Sequence, residues 1–595
     1  MGHALGYVIA ALCILAIAYR LYGVFLVRRI LKIDDKEPTP AHLYGDGRNY
    51  VPTRRWANAG QHFAAIAAAG PLVGPVLAAQ FGFLPGFVWL LAGAVIGGAV
   101  HDTVVLFASM KMRGLSLSEV AKAELGPVAG WCTGLAMLFI ITVTMAGLSM
   151  VVVNALEMNS WGTFAVFAIV PIAIALGLRE HRAGASKLAT LIAVLAVIGG
   201  VLAGPYVKHT PLGDWLMLNR QTLSLILPCY AFFMSTLPVW LLLTPISYLS
   251  SFIKVGVFVL LIAGVIFVNP EIQFPAFIAQ FAGGGPVVAG PVWPFVSITI
   301  ACGAISGFHA FVSSGVTPKL IDKWSDILPV AFGGMLMECV VGIMALVAAT
   351  SLFPADYFAI NAAPAVFAKL GLQTVELPRL VQEIGLDLAG RTGGAVTLAV
   401  GMTKIFTALP WFKQLAAYFF QFAVMFEAVF ILTAVDAGTR IARYLIQDLA
   451  GDFYRPLKRV DWTPGMLAAS FLASLAWGYL LASGDISSIW ALFGVSNQLM
   501  ASVGLIIGAT VILRLSQKRR YMLTCLIPLA YLFVTVYTAG FWMMTHVYLN
   551  PAAKGYNLFN GAITITELVL GAAILIAALR KWKALLPGKP LSAAG

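Results

Sequence analysis

The sequence predicts an all-α, polytopic helical membrane protein with about 15–18 transmembrane helices. Of its 595 residues, 60% are hydrophobic and only 11% are charged, whereas soluble domains carry about 25% charged residues. A soluble chain of this composition would expose too much apolar surface to stay monomeric. The apolar residues form continuous runs, unlike the short alternating strands of a membrane β-barrel. A soluble enzyme, a disordered protein and a fibrous protein are therefore excluded.

Apolar runs divide the chain into fifteen predicted spans. A hydrocarbon core about 30 Å thick needs about 20 apolar residues per helix. Runs of suitable length lie at 4–27, 57–80, 87–110, 127–153, 161–178, 188–204, 222–243, 252–268, 293–314, 328–353, 412–435, 464–482, 489–513, 521–543 and 559–579. The stretch 393–410 is shorter and contains Lys404. We interpret it as a re-entrant or half helix; the alternative is an ordinary additional span.

The basic residues predict the orientation in the membrane. The net charge is +13, and the lysines and arginines concentrate in loops at 28–55, 111–122, 179–187, 440–459, 514–520 and 580–583. Fifteen spans place all these loops on one side, which the positive-inside rule assigns to the cytoplasm. The prediction is a multi-pass protein of the bacterial inner membrane, with the N-terminus outside and the C-terminus cytoplasmic. The charge therefore indicates contact with membrane lipids and no nucleic-acid partner.

Two spans are interrupted by proline and glycine. The second contains Gly70-Pro71 and Gly74-Pro75, and the seventh contains Pro238 and Pro245. Proline removes a helical donor, and unwound backbone at membrane depth is tolerated only beside protein or a water-filled cavity. The two breaks lie five spans apart, so the units that contain them would be inverted, as in the LeuT-like fold of the APC superfamily. Unrelated proline kinks are the alternative.

This interpretation gives three parts of the chain. Residues 1–55 form the first transmembrane helix and a basic cytoplasmic loop, and residues 56–460 form a LeuT-like transport core of two inverted five-helix repeats. The re-entrant segment near 393–410 belongs to this core. Residues 461–595 form the C-terminal transmembrane helices.

A substrate site is expected near mid-membrane, between the breaks of spans two and seven. The free N-termini of half helices attract a carboxylate there. Glycines and Pro238 would shape the site, and histidines would bind polar groups or protons. A tryptophan would line one side of the site. The predicted substrate-binding residues are Gln61, His62, Gly70, Gly74, Pro238, Trp240 and His309.

Ionisable and hydroxyl side chains within the spans are candidates for ion or proton coupling. Charged groups inside a membrane are expensive, and histidine gains a proton near physiological pH. The candidates are His101, Asp102, Ser313, Ser314, Glu338 and Glu427. The two serines would supply oxygens to Na⁺, or they only pack and cap helices. The ionisable groups would carry H⁺, or they only form local hydrogen bonds.

A zinc site of His62, His101, Asp102 and His309 is chemically possible. No ligand spacing favours it, so no metal and no cofactor are predicted. The chain has no G-x-x-x-x-G-K-[ST] nucleotide loop and no H-E-x-x-H zinc helix. Its six cysteines each stand alone in an apolar run. We therefore predict that the protein is not an enzyme. Asp436, Arg440 and Arg443, at helical spacing, are interpreted as ion pairs along one helix.

Several strings in this order resemble the carbon starvation protein CstA family. They include Gly-Pro-Leu-Val-Gly-Pro at 70–75, Ser-Gly-Phe-His at 306–309 and Val-Ser-Asn-Gln at 495–498. Further matches lie at 61–69, 76–80, 98–102, 310–315, 317–319, 334–338, 390–394, 425–428, 435–440 and 492–494. The matches extend from the first span to about residue 510. The resemblance implies an inner-membrane transporter of peptides or pyruvate, coupled to an ion and related to the LeuT-like superfamily.

Two departures suggest a divergent member. Ile246-Ser247 stands where the family is expected to have Arg-Asp, and Gln421 stands where a histidine is expected. A charged pair and a titratable group are therefore missing, which leaves the substrate and the coupling ion open.

The function predicted from these features is secondary active transport by alternating access. The substrate would be a peptide, an amino acid or a small carboxylate such as pyruvate, and the coupling ion would be H⁺ or Na⁺. A membrane-embedded sensor or scaffold that binds a metabolite without translocating it is the alternative. Broken helices argue against it, because a sensor does not need them. A channel is a third possibility.

Overall fold

A computed structural model describes residues 2–46, 50–67, 69–184, 186–459, 462–484, 486–516, 518–553 and 555–585. Within these ranges the chain is helical and contains only isolated β-bridges, without strands. The main helices are α1 (Ala4–Ile30), α2 (Arg55–Ile66), α3 (Gly70–Phe81), α4 (Phe83–Lys111), α5 (Leu117–Leu125), α6 (Pro127–Leu156), α7 (Ser160–Ala183), α8 (Lys187–Lys208), α9 (Arg220–Thr236), α10 (Leu243–Val268), α11 (Val292–Thr299), α12 (His309–Gly315), α13 (Trp324–Thr350), α14 (Ala395–Thr407), α15 (Pro410–Gly451), α16 (Thr463–Ser483), α17 (Ile486–Leu515), α18 (Arg519–Tyr548) and α19 (Leu558–Leu585). Short helices at Pro40–Leu43, Pro211–Trp215, Pro354–Asn361, Pro364–Phe367 and Leu377–Ile384 lie in the loops.

Twelve helices in the described part of the chain are long and apolar enough to cross a membrane. The pair α2 and α3, which is bent by 49°, would be a thirteenth span. The polytopic helical prediction is therefore confirmed. All twelve fall on predicted runs, and the bent pair falls on the predicted run at 57–80.

The described part of the chain has fewer such helices than the 15–18 transmembrane helices predicted, for a reason visible in two runs. The run at 222–243 gives α9, whose 17 residues end before Pro238, with Leu237 already in an extended conformation. The run at 293–314 gives α11 and α12, which residues 300–308 separate. Hydropathy counts apolar residues but does not register the backbone breaks among them.

Burial shows which helices form the centre of the protein. Of the most apolar stretch of each helix, 89% is buried in both α13 and α17, against 28% in α1 and 22% in α8. Helix α13 packs on α2 and α3, and α4 packs on both α12 and α17. The broken second span therefore lies against one of the two most deeply buried helices, where its free backbone groups can find partners.

The helix α14 has 13 residues, about 20 Å at 1.5 Å per residue, which is shorter than a bilayer core. Its preceding residue, Gly394, lies beside Val73 of α3. Near its other end, Lys404 is 2.6 Å from Glu376 in the loop region that precedes it. That this segment enters and leaves on one face of the membrane remains a prediction.

Candidate functional site

The ninth predicted span is unwound between α11 and α12, and neighbouring side chains bind its free carbonyls. The indole of Trp89 donates to the carbonyl of Ile300 at 3.3 Å, and that of Trp490 donates to the carbonyl of Thr299 at 3.2 Å. The amide of Gln498 donates to the carbonyl of Ser297 at 2.7 Å. These bonds replace the helical ones that the break removes, so the opening is stable at membrane depth.

Asn497 of α17 holds the other half of the unwound segment. Its Oδ1 accepts from the backbone N–H of Phe308 at 2.9 Å and from the hydroxyl of Ser306 at 3.1 Å. Its Nδ2 donates to the sulfur of Cys302 at 3.3 Å, and its carbonyl accepts from the N–H of Gly307 at 3.0 Å. One residue, through its side chain and its backbone carbonyl, therefore holds residues 302–308 in place. The string at 495–498 carried the resemblance, but sequence reasoning did not select this residue for the site.

The glycines of α3 bring the first break against the second. A Cβ at Gly74 would lie 2.5 Å from the carbonyl oxygen of Thr299, and a Cβ at Gly70 would meet the side chain of Cys302. Real Cβ atoms do not approach backbone so closely. The start of α3 and the unwound segment therefore touch through a contact that only glycine permits.

We expect Gly74→Ala to lower the free energy of unfolding by about 1–3 kcal/mol, because the added methyl group overpacks against backbone that cannot rotate away. Thermal unfolding of the purified protein in detergent measures the effect. Gly256→Ala in α10 is the matched control, because a Cβ there meets nothing within 4 Å. Equal melting temperatures for the two variants would contradict the close contact.

Four ionisable side chains form a continuous chain beside the unwound segment. The carboxylate of Asp102 lies 2.8 Å from Nδ1 of His101 and 2.9 Å from Nδ1 of His309. Nε2 of His309 lies 2.9 Å from Oε2 of Glu338. All four side chains are fully buried. We call these four residues the His–Asp–His–Glu chain.

Three different elements contribute to this chain. Helix α4 carries His101 and Asp102, α12 begins at His309, and α13 carries Glu338. Space for the ring of His101 comes from Gly504 of α17, where a Cβ would clash with the imidazole. The fold thus brings four of the predicted site residues into direct contact with one another.

His62, Ser313 and Ser314 lie close to these elements but outside the chain. His62 of α2 is buried, with Nδ1 2.8 Å from the hydroxyl of Thr317, and its ring lies beside Gly334 of α13. The hydroxyl of Ser314 donates to the carbonyl of Ala310 within α12. The hydroxyl of Ser313 is buried and has no partner among the described residues.

Four predicted site residues lie elsewhere. Gln61 is exposed, and Pro238 lies in the turn after α9. The ring of Trp240 stacks on His181 of α7 at 3.9 Å. Glu427 of α15 is buried, and neither of its carboxyl oxygens has a hydrogen-bond partner in the described ranges. The glycine-rich break of the second span thus contacts the ninth span, while the break of the seventh contacts α7.

Two buried charges were missed although both stand inside predicted spans. The ammonium group of Lys254 donates to the carbonyl of Ala64 at 3.3 Å and lies 3.8 Å from the ring centre of Phe430. The carboxylate of Glu567 accepts from the hydroxyl of Ser496 at 2.7 Å. A search for any charge within an apolar run would have found both.

The arginines of α15 bind the end of α9 rather than an acid on their own helix. Arg440 donates to the carbonyls of Met234 and Leu237 at 2.6 and 2.7 Å, and Arg443 donates to that of Ser235 at 2.7 Å. Asp436 instead accepts from the hydroxyl of Tyr230 at 3.0 Å. The interpretation as ion pairs along one helix is replaced by a cap on the broken seventh span, because carbonyls at a helix end lack partners.

Two further sequence features have a structural explanation. Gln421 and Asn159 form two amide hydrogen bonds with each other, of 3.1 and 3.0 Å, so the residue at position 421 belongs to a buried neutral pair.

In the part of the chain that the structure describes, no group of three His, Cys, Asp or Glu side chains is arranged to hold a metal ion. The zinc possibility therefore receives no support.

A sequence profile of the carbon starvation protein CstA family matches residues 3–539. The chain belongs to the CstA family. The resemblance found in its motifs is thus confirmed. The protein is a multi-pass transporter of the inner membrane rather than an enzyme.

Named relatives in this family support that conclusion. The chain is 68% identical to the peptide transporter CstA of Bacillus subtilis, over 98% of this chain and 97% of the relative. It is 42% identical to the peptide transporter CstA of Escherichia coli, over 93% of this chain and 82% of the relative. It is 39% identical to the pyruvate/proton symporter BtsT of E. coli, over 93% and 83%.

Among solved structures, a mutant of the manganese transporter of Eremococcus coleocola aligns with 91% of this chain and 97% of its own. The TM-score is 0.43 and the identity is 12%. A likeness of this size assigns neither fold nor cargo to the CstA-family chain.

Proposed function

We propose that the protein is a secondary active transporter that takes up peptides or a small carboxylate together with H⁺. The observation that carries this proposal is the fully buried His–Asp–His–Glu chain, in which proton-binding groups contact one another in series. Intramembrane ionisable groups of this kind mark proton pathways in transporters. The names of the relatives, a peptide transporter and a pyruvate/proton symporter, agree with this substrate range.

The short distances along the chain allow one proton to be shared between two of its groups. Both histidines present Nδ1 to Asp102, so each donates a proton to that carboxylate. Nε2 of His309 lies 2.9 Å from Oε2 of Glu338, but the two atoms are not aligned as a hydrogen bond, so a small reorientation is needed before they share a proton. The proton then lies either on His309, beside an ionised Glu338, or on Glu338, beside a neutral His309. With neutral His101, both states have a net charge of −1 for the four residues. One additional proton makes the chain neutral, which is the cheaper state in a low-dielectric interior.

The chain is placed where proton binding can influence the helix breaks. His309 is the first residue of α12 and directly follows the unwound segment, which in turn touches α3 through Gly74. Protonation would change the contacts of α12 with α4 and α13. It would therefore shift the relative populations of two conformations of the broken helices. Alternating access around a LeuT-like inverted repeat, with the N-terminus outside and the C-terminus cytoplasmic, is the mechanism we propose.

Uptake into proteoliposomes tests the proposal. Labelled dialanine and pyruvate should each be offered under an inward proton gradient without sodium, and under an inward sodium gradient without a pH difference. We expect accumulation of at least one substrate under the proton gradient only, and its loss on addition of a protonophore. Folded protein that shows no gradient-dependent uptake, or uptake driven by sodium alone, would refute the proposal.

A further inference from the structure

A cavity of about 380 Å³ lies at the start of α17, the end of that helix away from the basic loop at 514–520. The first residues of α9 and α17 and the turn before α14 line it, together with the loop at 286–289. Its inner lining includes Leu77 of α3 and Thr299, the last residue of α11. The volume is within the range of small-molecule sites, which is about 300–1,000 Å³.

Arg220 supplies a positive charge to this cavity. The side chain is half-buried at the start of α9, and one of its terminal nitrogens donates to the carbonyl of Gly484 at 3.0 Å. Its contacts among the described residues include no carboxylate. A guanidinium has five N–H donors in a planar fork, so most of its donors can still bind a carboxylate ligand.

Asn361 supplies an unused acceptor to the same cavity. The residue is 1% exposed, and its Nδ2 donates to the carbonyl of Tyr357 at 3.1 Å and to the hydroxyl of Thr397 at 2.5 Å. An amide oxygen in this position would face the carbonyl oxygen of Tyr357 at 3.1 Å, acceptor against acceptor, so the nitrogen occupies it. Oδ1 is therefore left without a partner within the described ranges. A buried acceptor without a donor is costly. Because Asn361 also lines the cavity, its Oδ1 is a candidate acceptor for an N–H of a ligand there.

We propose that this cavity is the binding site for a peptide or amino acid, in which Arg220 binds the carboxylate and Oδ1 of Asn361 accepts an N–H of the same molecule. This inference rests on the proposed transport function and specifies its substrate class. Pyruvate has the carboxylate but no N–H, so it would leave Oδ1 unsatisfied. Gly393, just before the N-terminus of α14, also lines the cavity, and the N-terminus of a helix favours a carboxylate.

The position of the cavity links substrate binding to the proton-binding residues. Thr299 lines the cavity and is followed directly by the unwound segment, which ends at His309 of the His–Asp–His–Glu chain. An occupant of the cavity would therefore contact one end of this segment while a proton acts at the other end. Such a shared element is what coupling between two sites requires.

Binding of three probes to the purified full-length protein in detergent tests the site. The probes are dialanine, dialanine amide, which lacks the carboxylate, and pyruvate. For the wild type we expect dialanine to bind about tenfold or more tightly than either of the others. Arg220→Gln should weaken dialanine binding about tenfold or more while changing dialanine amide little. Arg220→Lys, which keeps the charge, should restore part of the difference.

Two further variants separate this role from a structural one. Arg391→Gln is the matched control, because Arg391 lies in the turn before α14 but is not among the residues that line the cavity, and it donates to the carbonyls of Asp387 and Glu157. It should leave all three affinities unchanged. Asn361→Ala should remove the preference for dialanine over pyruvate. Equal losses for dialanine and its amide in Arg220→Gln would overturn the site, as would an unchanged preference in Asn361→Ala.

The outcomes also distinguish this inference from the proposed function. Proton-driven uptake that is unaffected by Arg220→Gln would refute the cavity as the substrate site and leave the transport mechanism intact. Carboxylate-dependent binding at Arg220 without any proton-driven uptake would support the site and refute the transport mechanism.

Discussion

His309→Gln should reduce proton-driven uptake about 100-fold or more. Glutamine cannot carry a proton, and it cannot bridge Asp102 and Glu338 as the imidazole does at 2.9 Å on both sides. Removing one partner of a buried charge pair costs about 3–5 kcal/mol, and 1.4 kcal/mol corresponds to about tenfold. Initial rates of uptake into proteoliposomes under an inward proton gradient measure the loss.

A second histidine provides the matched control for this experiment. His546 of α18 is exposed and stacks on Trp542, away from the buried chain. His546→Gln should retain wild-type uptake. Glu338→Gln, which keeps the side-chain volume, should lose proton-driven uptake as His309→Gln does, and substrate exchange at equal pH would show that both variants are folded. Proton-driven uptake within a few-fold of wild type in both variants would exclude the buried chain from coupling.

Asn497→Leu should lower the free energy of unfolding by about 2–6 kcal/mol and abolish uptake. The substitution keeps the side-chain size but leaves the N–H of Phe308 and the hydroxyl of Ser306 buried without their acceptor. Each such group costs about 1–3 kcal/mol. Thermal unfolding in detergent and uptake in proteoliposomes measure the two effects.

Asn560→Leu is the corresponding control. Asn560 is also buried, in α19, but neither atom of its side-chain amide has a hydrogen-bond partner in the described part of the chain. Replacing an unpaired buried amide by an apolar group of similar size should be neutral or stabilising. If Asn497→Leu were no less stable than Asn560→Leu, the unwound segment would not depend on Asn497.

Local features of the sequence predicted the spans and the ionisable candidates. Long apolar runs report membrane helices directly, because the bilayer sets their length. His101, Asp102, His309 and Glu338 were found because ionisable groups inside such runs are rare. Neither signal carries distance information, however. That His309 lies between two carboxylates follows from the packing of α4, α12 and α13, which no sequence spacing reports.

The partner of each helix break could not be predicted for the same reason. Prolines and glycines located the breaks of the second and seventh spans, and the inverted repeat suggested that these two face each other. The structure places Gly74 against Thr299 and places Trp240 against His181. The partners of the unwound segment, such as Asn497, lie almost 200 residues away in the sequence and have no local signature.

The buried His–Asp–His–Glu chain has a consequence for the response to membrane voltage. In the proposed mechanism the protonated chain is neutral and a zwitterionic peptide adds no net charge, so these groups would carry no charge across the field during loaded inward movement. Without the extra proton, the same four residues would have a net charge of −1 in the empty carrier. A negative interior favours its return to the outside, by up to about 2.3 kcal/mol per 100 mV if the charge crosses the whole field. The membrane potential would thus act on the reset of the transporter rather than on the step that delivers the substrate.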